Sequence, residues 1–301
     1  MRLPDGYRTL RPMLADVDEI LDLVFATEEV YLGYRDYERS EVVDALTGPG
    51  IDPEADAWLV RDGDDRLVGW GQLYPSGPFC DAYARPGESP AVQTHLIGLL
   101  LDRVVERADG KPLAKAGALQ TEEQYIAVLA EAGFEFDHLQ ARMSRPLTGD
   151  EQPPAPVSGY TLRPLTEAEL PAAGEVLRAA FGDKNDYEAT PSLVLAECLV
   201  AEAESGEFAG VLLGSVPSEV TGEGWVKWLG VHPEHRRHGL AEALLATAIA
   251  GNARSGRKSI GLGVDTDSPT KAFTLYERLG FTVVYQANNY RLDLGPRMIG
   301  G

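Results

Sequence analysis

Arginines and histidines gather around a single glycine in the segment HPEHRRHGLAEALL, which runs from His232 to Leu245. After Gly239 the apolar residues recur at helical spacing, so the segment predicts a loop followed by a helix. A helix N-terminus is already electropositive, and Arg236 and Arg237 would not stabilise the helix at its first turn. A bound anion would explain them, and the predicted ligand is a pyrophosphate. The alternative is an ordinary loop with solvated arginines.

The elements on either side of this loop would give the anion site its geometry. Trp225–Val231 alternates and is rich in aromatic and β-branched residues, which predicts a strand that ends at the loop. A strand, a loop and a helix in that order aim several free backbone N–H groups at one point. Gly239 permits a tight backbone and a close approach of the ligand. The sequence contains neither GxxxxGK[ST] nor GxGxxG, which argues against the two common nucleotide loops.

Composition limits the class of protein. The chain has 301 residues, a formal charge of -20 and 44% hydrophobic residues, which suits two domains of ordinary size or one large one, with enough apolar residues to bury a core. A surface this acidic argues against nucleic acid as a partner, and no apolar run reaches the roughly 18 to 20 residues that cross a membrane. No signal peptide is recognisable at Met1. Cys80 and Cys198 each lie in an apolar stretch, which predicts buried free thiols and a cytoplasmic protein.

The negative charge is concentrated in residues 1–150. Such a surface could attract a cationic substrate, but acidic surfaces are also common solubility devices. Both interpretations stay open at the level of the sequence.

The two halves of the chain resemble each other. Tyr7–Leu14 matches Tyr160–Thr166, and Tyr125–Phe136 matches Phe273–Val283. Between the halves lies Thr148–Gly159, which is rich in proline and charge and has no apolar period. Each half reads as a strand, one or two helices, a hairpin, a strand, a long helix, a strand, a short helix and a final strand. We therefore predict a duplicated α/β domain, with domains at 1–150 and 157–301.

The pattern R-x-x-G-x-A at Arg236–Ala241 follows LGVHP and precedes DSPTKAFTLYERLGF. This arrangement resembles the GNAT superfamily of acyl-CoA-dependent N-acyltransferases, specifically over Leu229–Phe281 and by order of elements elsewhere. The resemblance implies two tandem GNAT domains, each a mixed, mostly antiparallel sheet flanked by helices. It also implies acetyl-CoA as co-substrate and no metal.

The resemblance assigns coenzyme contacts to particular positions. The strand before the loop would splay from its neighbour and pair with pantetheine, and the loop amides would wrap the pyrophosphate. Ser268 stands where many members have an asparagine beside the pantetheine. The residues predicted to bind the coenzyme are Leu229, Gly230, Val231, Arg236, Arg237, His238, Gly239, Leu240, Ala241 and Ser268.

Two residues are candidates for proton transfer. Tyr276 matches the tyrosine that protonates the departing thiolate in many members, and a phenol with a pKa near 10 suits that task. The alternative is a core tyrosine, because Tyr276 belongs to an apolar helical stripe. Glu223 precedes the splayed strand and is the candidate general base, although a plain turn carboxylate is the competing interpretation. No arrangement of nucleophile and base suggests an acyl-enzyme, so direct transfer is the simpler mechanism.

The matching region of the first half lacks both the glycine loop and the tyrosine. Gly87–Pro90 is short and places Glu88 where a phosphate would be repelled, and Leu129 aligns with Tyr276. We predict that the first half kept the fold and lost the coenzyme.

The favoured function is an acetyltransferase that modifies a primary amine of a small molecule, in a protein that is a monomer or a homodimer and binds neither nucleic acid nor membrane. The rival hypothesis is a non-catalytic acyl-CoA sensor or scaffold.

Overall fold

The computed structural model describes residues 2–48, 50–74, 78–183, 187, 193–218, 221–267 and 271–295. The first half of the chain contains β1 (Arg8–Leu10), α1 (Val17–Tyr31), α2 (Arg39–Thr47), α3 (Pro53–Asp56), β2 (Ala57–Arg61), β3 (Leu67–Tyr74), β4 (Phe79–Ala84), α4 (Pro90–Arg107), β5 (Leu113–Leu119), α5 (Glu123–Glu131) and β6 (Glu135–Pro146). The second half contains β7 (Tyr160–Pro164), α6 (Leu170–Phe181), β8 (Leu199–Ala203), β9 (Phe208–Ser215), β10 (Gly224–Val231), α7 (Leu240–Arg254), β11 (Ser259–Asp265), α8 (Ala272–Arg278) and β12 (Thr282–Asp293). The order of elements therefore repeats, as the sequence predicts.

The chain forms two compact units that do not coincide with the two halves of the sequence. One unit comprises residues 1–140 and 285–301, and the other comprises residues 141–284. The reason is strand pairing, because residues 287–293 of β12 pair antiparallel with residues 113–119 of β5. The last strand of each half thus runs through both units. Segments 1–150 and 157–301 stay a prediction about how the sequence is duplicated.

The sheet of the first unit has the strand order β1-β2-β3-β4-β5-β12, and that of the second has β6-β11-β10-β9-β8-β7. In both, a run of antiparallel neighbours meets one parallel pair, which is β4 with β5 in the first unit and β10 with β11 in the second. The predicted fold class is confirmed: each sheet is mixed, mostly antiparallel and flanked by helices.

Helices cover both faces of each sheet. In the first unit α4 packs against the face that carries Gly69 and Gly71, where an added Cβ would lie 2.6 Å from Val92 and 3.1 Å from Leu96. The helices α1 and α2 cover the opposite face. In the second unit α7 packs against one face of the sheet and α6 against the other. Burial of these apolar faces supplies most of the stabilisation, at about 25 cal/mol per Å² of apolar surface.

None of the helices in the described parts of the chain combines the length and the apolar character that a membrane-spanning segment requires. Cys80 and Cys198 are buried and unpaired.

Candidate active site

The loop between β10 and α7 has a strained backbone. Pro233–His235 forms one turn of 3-10 helix, after which Arg237 takes a φ of +68° and Gly239 a φ of +79°. A left-handed conformation costs a non-glycine residue roughly 1–2 kcal/mol, so Arg237 is held there by its surroundings. Two residues with positive φ thus stand immediately before α7, which begins at Leu240.

The N-terminus of α7 is left open. The first helical hydrogen bond runs from the N–H of Ala243 to the carbonyl of Gly239, at 3.0 Å. No side chain in the described residues caps this helix, and the N–H groups of Leu240 and Ala241 make no hydrogen bond within that part of the chain. Gly239 is exposed, and a Cβ added to it would meet nothing within 4 Å. This terminus can therefore receive an anion without displacing a protein group.

The two arginines of the loop have different surroundings. The guanidinium of Arg236 donates to the carbonyl of Ala180 at 2.8 Å and to that of Val231 at 3.4 Å. Arg237 is exposed and makes no hydrogen bond or ion pair within the described residues. In this geometry Arg236 fixes the loop, and Arg237 is the cation that remains for a phosphate.

Histidines three residues apart hold the other side of the loop. The Nδ1 atom of His235 lies 3.0 Å from the hydroxyl of Tyr160, and His238 lies with its ring centroid 5.7 Å from that of Tyr160. The Nδ1 atom of His238 also lies 3.1 Å from the carbonyl of His235. The spacing of His232, His235 and His238 in the sequence was a signal for this cluster that the sequence reasoning did not use.

The strand before the loop opens away from its parallel neighbour. The β10 to β11 pairing comprises Gly224–Val226 against Ile260–Leu262, although β10 continues to Val231 and β11 to Asp265. A bulge shifts the register against β9 between Val226 and Trp228. Bulges bend strands and are common beside active sites. The predicted splay is thus present in the second unit.

Backbone groups of this strand face the opening. The N–H of His232 donates to the carbonyl of Ala209 on the β9 side, at 2.9 Å. Because bonding alternates along an antiparallel ladder, the polar backbone groups of Leu229 and Val231 point to the other side, where β11 has diverged. An extended amide chain such as pantetheine can pair there. Gly230 has a different task, because a Cβ on it would lie 2.8 Å from Leu177 of α6.

Tyr276 lies on α8 inside the apolar cluster of the second unit. Its side chain is buried, its ring centroid is 6.0 Å from that of Phe281, and its hydroxyl makes no hydrogen bond within the described residues. Burial raises the pKa of Tyr276 to about 12. Arg278 of the same helix donates to Glu242 in the first turn of α7 at 3.1 Å, which ties α8 to the open helix terminus.

Glu223 is a buried carboxylate with both oxygens occupied. It accepts a hydrogen bond from Arg142 at 2.8 Å and another from the hydroxyl of Ser144. It also stands at the closed end of the β10 to β11 pair, beside Gly224, and not in the opening. The geometry favours a structural ion pair over a base that must accept a proton. Arg142 and Ser144 were missed from sequence, because they precede the linker and share no motif with Glu223.

Ser268 lies outside the described residues. No cluster of potential metal ligands occurs in the parts of the chain that the structure describes.

The corresponding helix terminus of the first unit is closed by its own residues. The side chain of Ser89 accepts from the N–H of Ala91 at 3.3 Å, and Pro90 contributes no N–H at the first helical position of α4. Glu88 accepts from the hydroxyl of Tyr7 at 2.9 Å, and Leu129 is fully buried at the position that aligns with Tyr276.

The chain is similar to proteins of known family. Residues 195–283 match the family described as acetyltransferase (GNAT) domain. The chain is similar to the mycothiol acetyltransferase of Salinispora arenicola (strain CNS-205), with 29% identity over an alignment that covers 92% of this chain and 94% of that protein. It is also similar to the crystal structure of a GCN5-related N-acetyltransferase from Sphaerobacter thermophilus, at a TM-score of 0.84 and 24% identity over 98% of both chains. A tandem GNAT protein from the clavulanic acid biosynthesis pathway gives a TM-score of 0.73 at 17% identity, over 96% of this chain and 99% of that one.

Proposed function

Because this chain belongs to the GNAT N-acetyltransferases, we propose that its second unit transfers an acetyl group from acetyl-CoA directly to the primary amine of a small molecule. The observation that carries the proposal is the open N-terminus of α7 at the end of a strand that splays from its neighbour. The pyrophosphate binds at that terminus with Arg237. Pantetheine then follows the backbone groups of Leu229 and the N–H of Val231 towards the bulge.

The proposed chemistry is a single transfer. The lone pair of the amine nitrogen attacks the thioester carbonyl, an N–C bond forms and the C–S bond breaks. The departing sulfur takes the hydroxyl proton of Tyr276, and the nitrogen loses its extra proton to water or to a base. Burial supports the role of Tyr276, because a pKa of about 12 keeps the hydroxyl protonated throughout the neutral and moderately alkaline range.

We propose that the first unit no longer binds the coenzyme. Ser89 and Pro90 close the N-terminus of α4, and Leu129 offers no proton. Calorimetry is expected to give one acetyl-CoA per chain, and a stoichiometry of two would contradict this part of the proposal.

Release of CoA tests the whole proposal. The protein is mixed with acetyl-CoA, a thiol reagent and a panel of amines that begins with a mycothiol-type amine, since the relatives carry mycothiol in their name. We expect release that requires an amine and that falls at least 100-fold in Tyr276→Phe, with the KM for acetyl-CoA unchanged. Tyr7→Phe, which removes a hydroxyl from the first unit, serves as the matched control. Tight binding of CoA with no release for any amine would instead indicate a sensor.

A further inference from the structure

The first unit contains polar side chains on the face of its sheet that α1 and α2 cover. Gln72 of β3 pairs with Asp81 of β4, and Trp70 pairs with Tyr83. Residues directly opposite each other in an antiparallel pair project to the same face. The alternate residues of β3 and β4 face α4, so these four side chains share the face beneath α1 and α2, and this region is called the cleft below.

Aromatic rings form the walls of this cleft. Trp70 stacks on Tyr83 with ring centroids 5.3 Å apart and an interplanar angle of 12°. Tyr37, from the segment between α1 and α2, meets both rings edge-on, with centroids 6.5 Å from Trp70 and 6.3 Å from Tyr83. The faces of such rings attract cations.

Three carboxylates lie among these rings, and of these Glu28 is attracted by the guanidinium of Arg35. The hydroxyl of Tyr74 donates to Asp81 and accepts from Tyr37. Glu28 accepts from the N–H groups of Asp36 and Tyr37, and Glu122 accepts from the N–H of Leu119. None of Asp81, Glu28 and Glu122 makes an ion pair within the described residues.

The electrostatics of the cleft reflect this missing charge. Burial raises the pKa of Asp81 to about 7, and it raises the pKa of Glu122 to about 7 as well. Directly across from Asp81, the Oε1 atom of Gln72 is an acceptor with no donor, although the residue is 0% exposed. A buried acceptor without a donor is costly, and so is a desolvated carboxylate without a cation. One ligand group that carries both N–H donors and a positive charge would remove both costs.

The cleft is open at the sheet. The pairing of β4 with β5 in the described residues consists of Phe79 with Lys115, beyond which Asp81 and Tyr83 have no partner on the β5 side. This is the counterpart of the opening in the second unit, but it lacks an open helix N-terminus and is acidic.

We propose that this cleft binds a protonated amine, with Asp81 as its counter-ion, Gln72 as a hydrogen-bond acceptor and Tyr37 and Tyr83 as aromatic walls. In the first unit, a site that binds an organic cation thereby takes the place of the groove that would bind a coenzyme. The residues of this site belong to the first unit, and the site goes beyond the function proposed above.

Calorimetry on the full chain without acetyl-CoA tests the site. The probes are cyclohexylamine and benzylamine at pH 8, each compared with its uncharged alcohol, cyclohexanol or benzyl alcohol. We expect the amines to bind at least tenfold more tightly than the alcohols. Equal affinity of amine and alcohol, or binding of neither, overturns the proposal.

Variants locate the binding. Asp81→Asn keeps the shape and removes the charge, so we expect it to weaken amine binding at least tenfold and to leave CoA affinity unchanged. Asp44→Asn, at an exposed carboxylate of α2, is the matched control and should change neither. Gln72→Leu is the second variant and should weaken amine binding severalfold, which keeps the test decisive if Asp81→Asn folds poorly. An amine affinity that stays within twofold of wild type in both variants overturns the site.

Kinetics distinguish whether the amine bound in the cleft is the acetyl acceptor or a separate ligand. If Asp81→Asn raises the KM of an acetylated amine and leaves kcat unchanged, the cleft holds the acceptor before transfer. If an amine that binds by calorimetry is not acetylated, the cleft serves a second ligand. This comparison alone rests on the proposed acetyl transfer, since the calorimetry involves no acetyl-CoA. Both results require that the amine binds in the cleft. If the transferase assay shows no activity, the calorimetric test of the cleft still stands.

Discussion

The guanidinium of Arg236 donates a 2.8 Å hydrogen bond to the carbonyl of Ala180, which lies in the last turn of α6. The last carbonyls of a helix lack intrahelical partners and attract cations. The bond therefore fastens the loop that begins α7 to the end of α6. Its neighbour Arg237 has no such partner within the described residues, so two adjacent arginines carry out different tasks.

We predict that Arg236→Gln and Arg237→Gln separate these tasks. Arg236→Gln should lower the free energy of unfolding by about 1–2 kcal/mol, because a charge-assisted hydrogen bond to Ala180 is lost. Arg237→Gln should leave stability unchanged but weaken CoA binding about tenfold, and it should flatten the dependence of CoA affinity on salt, since charge pairs at the surface are screened. Urea unfolding, and CoA titrations at low and high salt, measure the two effects. A larger change of salt dependence in Arg236→Gln would reverse the assignment.

We predict that Gly239→Ala weakens CoA binding at least tenfold. Its φ of +79° disfavours a Cβ, and the added methyl group points into the open space at the start of α7. The same backbone conformation should cost about 1 kcal/mol of stability.

Gly251 is the matched control, because it lies inside the same helix and a Cβ added to it would meet nothing within 4 Å. Gly251→Ala should raise stability by about 0.5–1 kcal/mol and leave CoA affinity unchanged. Equal CoA affinity in both variants would show that the start of α7 does not contact the coenzyme.

The sequence predicted well those features that follow from local pattern. The loop at Arg236–Ala241, the strand before it and the order of elements in each half have local signals, whereas the splay of that strand was implied by the resemblance to the GNAT superfamily. The pairing of β12 with β5 was not predictable, because nothing in a strand's own alternation says which strand it will pair with. The Arg142–Glu223 pair was not predicted either, because its partners are 81 residues apart in the sequence.

The cleft of the first unit illustrates a further limit. Asp81 and Gln72 look like ordinary polar residues in apolar strands, and only cross-strand register places them opposite each other. The concentration of negative charge in residues 1–150 was compatible with a cation site, but it could not distinguish that site from a solubility device.

We predict that Glu223 stabilises the fold and does not serve as the base. Glu223→Gln removes the buried carboxylate charge that pairs with Arg142, and breaking such a pair costs about 3–5 kcal/mol. The free energy of unfolding should fall by about 3 kcal/mol, while the kcat of the folded fraction and its pH profile stay unchanged. Glu204→Gln, at an exposed turn carboxylate, is the control for stability. Loss of the acid limb of the kcat profile, with stability intact, would restore Glu223 as the general base.

We predict that Asp81→Asn makes the ligand-free protein more stable, and more so at pH 8 than at pH 5. The carboxyl has a pKa of about 7 in the fold and about 3.9 in the unfolded chain, so the native state binds the proton more tightly. Stability is therefore lost as pH rises between these two values, and the cost is complete above pH 7. The titratable groups that interact electrostatically with Asp81 are Tyr74, Tyr37, Tyr83, Tyr125, Glu122 and Cys80, and none of them is a cation.

An asparagine at this position carries no charge, and its amide group can donate to the orphaned Oε1 atom of Gln72. We expect a gain of about 2 kcal/mol at pH 8, after allowance for the half-buried position, and a smaller gain at pH 5. Urea unfolding at the two pH values measures it. If Asp81→Asn gains stability and loses amine affinity, the carboxylate of Asp81 serves ligand binding and destabilises the ligand-free fold. If Asp81→Asn is less stable than wild type at pH 8, Asp81 is a structural residue, and the raised pKa reflects packing alone.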